Sequence, residues 1–186
     1  TNTLMPRILI IAPNWIGDML MAQPLLSALK TLSPTTHISV LAPLWVAPVL
    51  AYMAEVDVVI PTQFSHGTLQ GWQRLKLARI LRGQFDECYV LPNSWKSAVL
   101  PWLAKIPRRF GYLGERRYGL LNRYLANPEK KHRPPMVAHY AALAQLSGIY
   151  ENTQKISLTD PKLIISQQEV AQVIQHFHID MQKPLL

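Results

Sequence analysis

The chain has 186 residues, 49% of them hydrophobic and 16% charged, with a formal net charge of +8. This length and apolar content allow one ordinary domain, or one domain plus a fragment, and exclude a chain disordered throughout. The positive balance points to an anionic partner, whether a phosphate-bearing ligand, a nucleic acid or a membrane surface.

In chain order, Ile8–Ala12 reads as a buried strand and Met19–Leu32 as an amphipathic helix, with Leu20, Leu25, Leu26 and Leu29 near one face. Ile8–Ala12 is too short for the apolar core of a secretory leader. Ser33-Pro34-Thr35-Thr36 is a break. His37–Ala42 is a second strand, followed by a short helix over Trp45–Met53. Asp57–Ile60 is a third strand, ended by Pro61. Trp72–Leu81 is a basic helix, Asp86–Leu91 a fourth strand and Trp95–Leu103 a further helix. Cys88, the single cysteine, lies in the apolar run Cys88-Tyr89-Val90-Leu91 and reads as a small buried residue. No span of about 20 apolar residues is present, and one cysteine allows no internal disulfide, so a soluble protein of a reducing, cytoplasmic compartment is expected.

Strand and helix alternate through this half. The pattern predicts an α/β fold: a Rossmann-like, open, mostly parallel sheet with helices on both faces. Beyond it, Lys105–Arg133 reads as a loop-rich basic segment. Pro134-Pro135 opens a helix through Leu146, ended by Gly148, and Tyr150–Leu163 resembles a linker. Ser166–Phe177 is a last helix with Ser166 as its N-cap. Lys183-Pro184-Leu185-Leu186 reads as the opening of another strand. The expected division is residues 1–165 as one domain, with 166–186 as a connecting helix and the start of a second.

Ligands of open parallel sheets bind outside the carboxyl ends of the strands. The loop Pro13-Asn14-Trp15-Ile16-Gly17-Asp18 falls at that edge and carries neither G-x-G-x-x-G nor G-x-x-x-x-G-K-[ST]. It is not expected to cradle nucleotide phosphates, which Asp18 would repel. Asp18 itself has two readings. Aspartate is among the best helix N-caps, and a carboxylate at a cleft can also take a proton from a substrate hydroxyl. The sequence leaves both open. Pro92-Asn93-Ser94-Trp95-Lys96-Ser97 follows the fourth strand and should share that edge. It offers an amide, hydroxyls and an ammonium to a hydroxylated or phosphorylated ligand. Ser94 can instead be a plain N-cap with Lys96 solvated, but a lysine in a first turn opposes the helix dipole. In the basic segment, Arg108, Arg109, Arg116, Arg117 and Arg123 stand with Tyr112, Tyr118 and Tyr124. Arginine fits bidentate phosphate or carboxylate contacts. His66-Gly67 would be a further cleft loop, although His66 alone also reads as an ordinary loop histidine.

Taken together, Pro13-Asn14-Trp15-Ile16-Gly17-Asp18-Met19, His66-Gly67, Val90–Ala98, Ile106-Pro107-Arg108-Arg109 and Arg117-Tyr118-Gly119-Leu120-Leu121-Asn122 resemble the N-terminal half of the ADP-heptose:lipopolysaccharide heptosyltransferases. These are family 9 glycosyltransferases of the GT-B type, and the type II branch is most similar. Tyr140–Ala144 adds a weaker match.

The resemblance implies a two-domain enzyme whose missing C-terminal domain holds the donor, ADP-L-glycero-beta-D-manno-heptose, with no cofactor and no metal. It implies inverting transfer of heptose to the Kdo/heptose inner core of lipopolysaccharide, at the cytoplasmic face of the inner membrane, with no nucleic-acid partner. It also implies roles. Asp18 would be the base and Lys96 would hold charged or leaving-group oxygens. Asn14, Trp15, Gly17, His66, Gly67, Asn93, Ser94, Ser97, Arg108, Arg109, Arg117 and Tyr118 would meet the acceptor. This half alone would be inactive. A competing reading from another class is a flavodoxin-like module that presents its cations to a membrane surface or to RNA. The enzyme reading requires Asp18, Lys96 and the Arg108–Arg117 region to converge on one cleft.

Overall fold

Alternation along short apolar strands decides what each side of the sheet packs against. The structure, a computed structural model, describes residues 5–63, 71–115, 117–147 and 158–179. In β1 (Arg7–Ile11), Ile8 and Ile10 join one buried cluster while Leu9 and Ile11 join another. The first cluster contains Met19, Leu25, Leu26 and Leu29 of α1 (Ile16–Leu32), Leu50 of α2 (Ala47–Leu50) and Tyr140 of α5 (Met136–Ala141). The second contains Ala78 and Leu81 of α3 (Gly71–Leu81) and Ala98 and Leu100 of α4 (Trp95–Leu103). Each fully buried leucine contributes about 2 kcal/mol of hydrophobic stabilisation, so both clusters are substantial. Cys88 sits in the second cluster, fully buried as expected, and burial raises its thiol pKa.

The sheet has the order β3-β2-β1-β4-β5-β6, and all five pairings are parallel. Its other strands are β2 (His37–Pro43), β3 (Val58–Thr62), β4 (Glu87–Val90), β5 (Arg108–Leu113) and β6 (Arg123–Ala126). The predicted α/β architecture is therefore present, with helices on both faces. Pro61 does not end β3 but lies within it, which an edge strand tolerates because one side of its ladder has no partner to serve.

Two departures bear on the site. The basic segment expected to be irregular contributes β5 and β6. Their link, residues 114–122, is shorter than the roughly dozen residues usual between parallel strands and contains no helix among its described residues. Also, α1 begins at Ile16 rather than Met19, which moves Asp18 inside the helix.

The chain returns to this body late. Gln23 in α1 is buried, its Nε2 donates to the Lys162 carbonyl at 2.7 Å, and its Oε1 accepts the Lys162 N–H at 2.8 Å. The Ile164 N–H donates to the Tyr52 carbonyl at 2.8 Å. Next comes α6 (Gln167–His176), opened by Ser166, whose side chain accepts the Glu169 N–H while Glu169 accepts the Ser166 N–H. The expected N-cap is thus present as a full capping box. The expected helix to Leu146 runs as α5 and then as a 3-10 helix over Ala142–Leu146, with Pro135 as its N-cap. Gly148 and Lys183–Leu186 lie outside the described residues.

Candidate functional site

Strand order reverses between β1 and β4: the chain goes from β1 outward to β2 and β3, then returns to place β4 on the other side of β1. Loops leaving the carboxyl ends of two such strands diverge and leave a crevice, the usual ligand position in open parallel sheets. The loops leaving β1 and β4 are those carrying Asn14-Trp15-Gly17-Asp18 and Asn93-Ser94-Lys96-Ser97. Both motifs therefore flank one crevice.

On the β1 side, Asp18 is the third residue of α1, and Trp15 holds the N-cap position without a side-chain cap bond. The cap reading of Asp18 is thereby corrected. Its carboxylate is half-buried in the first turn, and among the described residues it has no hydrogen-bond partner. The nearby Tyr140 hydroxyl senses it. Burial first, and the Asp18 charge second, push the Tyr140 pKa up to about 12, against the opposing charge of Arg133. Gly17 faces open space, so a ligand can approach the backbone there. Trp15 is 72% exposed, and the Trp45 indole donates to the Asn14 carbonyl at 2.7 Å, joining the loops after β1 and β2.

The β4 side is held from outside. Ser94 occupies the N-cap position of α4 but makes no side-chain cap bond. Instead the Glu115 carboxylate, from the β5–β6 link, accepts the Trp95 N–H at 3.1 Å. Lys96, unfavourably placed for the dipole, thus has an anionic group at the same helix end. Ser97 Oγ donates to the Ser94 carbonyl at 2.6 Å, with the Pro92 carbonyl at 3.2 Å. Its one donor is engaged in the loop. Asn93 is exposed and Ser94 half-buried.

Arg117 corrects the sequence reading most sharply. It is fully buried, and its guanidinium donates to the carbonyls of Pro92 (2.5 Å) and Tyr112, with the Ser94 carbonyl at 3.5 Å. Desolvation first lowers its pKa, to about 10, despite the neighbouring Glu115 charge. A guanidinium so enclosed does not meet an acceptor. Arg108 and Arg109 are corrected for a different reason, their position. They open β5 and pair in register with Glu87 and Cys88, which open β4, so they stand at the amino edge of the sheet. Arg108 Nε pairs with the buried Glu87 carboxylate at 3.2 Å. Arg109 donates from Nε to the Leu120 carbonyl at 2.7 Å and from Nη1 to the Ile106 carbonyl at 2.6 Å. The loops that carry Asp18 and Lys96 thus leave the carboxyl ends of neighbouring strands, whereas these arginines stand at the other edge or inside the body. Tyr118 is 68% exposed on the link. His66, Gly67 and Arg116 lie outside the described residues.

Sequence reasoning missed Glu115, Trp45 and Tyr140 as parts of the site. A polar residue after a strand is a local signal, but Glu115 and Tyr140 reach the crevice from the link after β5 and from α5. Among the described residues, no group of three or more His, Cys, Asp or Glu could hold a metal ion, and no helix is long and apolar enough to cross a membrane.

Residues 74–185 match the model of glycosyltransferase family 9 (heptosyltransferase). The chain is 42% identical over 185 residues to lipopolysaccharide heptosyltransferase 2 of Escherichia coli (strain K12), covering 97% of this chain and 52% of the relative. It is 42% identical over 171 residues to lipooligosaccharide heptosyltransferase 2 of Haemophilus influenzae, covering 92% and 49%. A solved structure of the E. coli ADP-heptose lipopolysaccharide heptosyltransferase II superposes with a TM-score of 0.80 at 38% identity, over 96% of this chain and 52% of that one. A family 9 glycosyltransferase from Veillonella parvula has the same fold, with a TM-score of 0.75 at 17% identity, over 96% and 51%. The chain spans about half the length of the curated relatives it matches.

Proposed function

The chain belongs to glycosyltransferase family 9, and from that premise we propose that it is the acceptor-binding half of an inverting enzyme that transfers heptose from ADP-heptose to the Kdo/heptose inner core of lipopolysaccharide. One observation carries the reading: the Asp18 loop and the Lys96 loop flank the crevice where the strand order reverses.

In this reading the acceptor lies across the crevice, against Asn14, Trp15, Gly17, Asn93 and Ser94. Asp18, with no competing hydrogen bond among the described residues, takes the proton of the acceptor hydroxyl as its oxygen attacks the anomeric carbon. The bond to the diphosphate breaks, ADP leaves with the electron pair, and configuration inverts. Lys96 meets the negative charge that grows on the leaving oxygens. The nucleotide sits on a second unit, for which residues 166–186 are the approach, and the assembled enzyme works at the cytoplasmic face of the inner membrane. This division explains the absence of phosphate-binding glycines after β1. Alone, the chain binds acceptor weakly and turns over negligibly.

The test is calorimetry on this chain with a Kdo-containing, phosphorylated core oligosaccharide and, in parallel, ADP. The reading expects the oligosaccharide to bind and ADP not to. Binding of neither, or salt-sensitive binding of any polyanion alike, overturns it in favour of a basic interaction module.

A further inference from the structure

The β5–β6 link does more than join two strands. We infer that Glu115 and Arg117 are positioning residues, a bracket from the link that sets the Asn93–Lys96 loop at the crevice. The inference rests on the proposed acceptor site and deepens it. It starts from a helix end without its own cap: Ser94 fails to cap α4, and Glu115 accepts the Trp95 N–H at 3.1 Å in its place. One residue beyond Arg116, the buried Arg117 grips the same loop from below, through the carbonyls of Pro92 and Ser94, and ties it to Tyr112 at the end of β5.

Two further features fit a bracket better than a passive turn. Glu115 is held at φ 29, in the left-handed region that disfavours non-glycine residues. Glycine would relieve that conformation, yet the position carries an exposed carboxylate aimed at the next loop. The end of β5 and the link are also seated closely against their neighbours. A Cβ on Gly111 would stand 2.9 Å from the Val90 carbonyl oxygen and 3.4 Å from Arg117 Nη2, and one on Gly114 would stand 3.2 Å from the Asn93 carbonyl oxygen. On the loop that carries Asn93 and Lys96, the carbonyls of Pro92 and Ser94 and the Trp95 N–H are thus met by one neighbouring segment.

Glu115→Gly separates positioning from folding, because it removes the carboxylate while relaxing the backbone. The experiment compares it with Glu115→Gln, whose amide oxygen still accepts the Trp95 N–H. Each is made in this chain, with and without Lys96→Ala. Readouts are the urea midpoint, amide exchange over residues 95–97, and calorimetric affinity for the phosphorylated Kdo-containing oligosaccharide.

The expected result for Glu115→Gly is an equal or higher midpoint, exchange at Trp95 faster by at least about tenfold, and affinity lower by about fivefold. Glu115→Gln restores both to within about twofold, and in the Lys96→Ala background Glu115→Gly costs no further affinity. Unchanged exchange, or a further affinity loss without Lys96, overturns the bracket. Arg117→Lys, whose single ammonium cannot span three carbonyls, should reproduce the glycine variant's loss of affinity, at a lower urea midpoint, if it folds, and the Glu115 series decides alone if it does not. Should the unsubstituted chain bind no oligosaccharide, the acceptor reading fails. The bracket then stands or falls on whether exchange responds to Glu115→Gly and recovers in Glu115→Gln.

Discussion

At the scale of single residues, position within an element decides chemistry. One residue earlier than α1, an aspartate would have been an ordinary cap; at the third helical position the Asp18 side chain is left for the crevice. In a form of the protein that carries the donor unit, Asp18→Asn should lower the rate by at least about a hundredfold. The same substitution in this chain should change oligosaccharide affinity by less than about threefold, because the amide keeps shape and hydrogen-bonding capacity. A small rate effect would remove Asp18 as the base. His139 gives a pH signature instead. It is buried, stacked on Tyr112 with ring centroids 3.7 Å apart, and desolvation followed by the Arg133 charge pushes its pKa down to about 4. Unfolded, it would titrate near 6.5. Between about pH 6.5 and 4 the unfolded chain binds more protons, so stability falls as pH falls through that window. For Asp57 and Asp86 desolvation raises the pKa, but hydrogen bonds and charge from Lys30 and Ile38, and from Arg7, outweigh it and lower the pKa on balance, so their loss comes at lower pH. The urea midpoint should therefore drop from pH 7 to pH 5, and His139→Phe, which keeps the stack, should flatten that drop. An equal drop in the variant would show that another group controls the window.

At the scale of elements, the link from β5 to β6 is where the local reading and the folded chain part company. The first four strands were legible because each is a short apolar run; β2, β1 and β4 lie inside the sheet and β3 at its edge. β5 opens with two arginines and carries a glycine, and β6 is a four-residue edge strand with both its first residues exposed, so neither has that signature. The pairing of β5 with β4 depends on Gly111 approaching Val90 closely. Gly111→Ala should cost about 1–3 kcal/mol, since the new methyl meets the Val90 backbone carbonyl rather than a side chain able to yield. An unchanged urea midpoint would mean that β5 sits more loosely against β4 than its contacts imply. The site divides in the same way. The places of Asp18 and Lys96 at the carboxyl edge of the sheet were legible because each lies in the segment that follows its own strand. The arginines were not, because charge alone cannot tell an exposed cation from one folded onto backbone carbonyls. Arg117 and Arg109 fell on the second side of that divide, and Arg108 pairs with the buried Glu87 carboxylate.

At the scale of the whole molecule, the central strands are buried and the last helix is not. α6 is fully capped, yet none of its residues is buried, and Val170, Val173 and Phe177 remain at least 43% exposed. Its contact with the body includes the Tyr52 hydroxyl, which donates to Glu169 at 3.3 Å, beside an open cavity lined by Tyr52, Val173 and Phe177. Helices shorter than about 12 residues are marginal in water without an apolar face packed on something, so capping alone cannot hold this one firmly. α1, by contrast, has eight residues buried. In the chain by itself, amides of α6 should therefore exchange at least about a hundredfold faster than the central amides of α1. In a form carrying the second unit, the same amides should slow while those of α1 stay unchanged, because packing then covers the apolar stripe. If α6 is as protected as α1 in the isolated chain, the helix is a finished part of this domain, and the connecting role assigned to residues 166–186 would have to be given up.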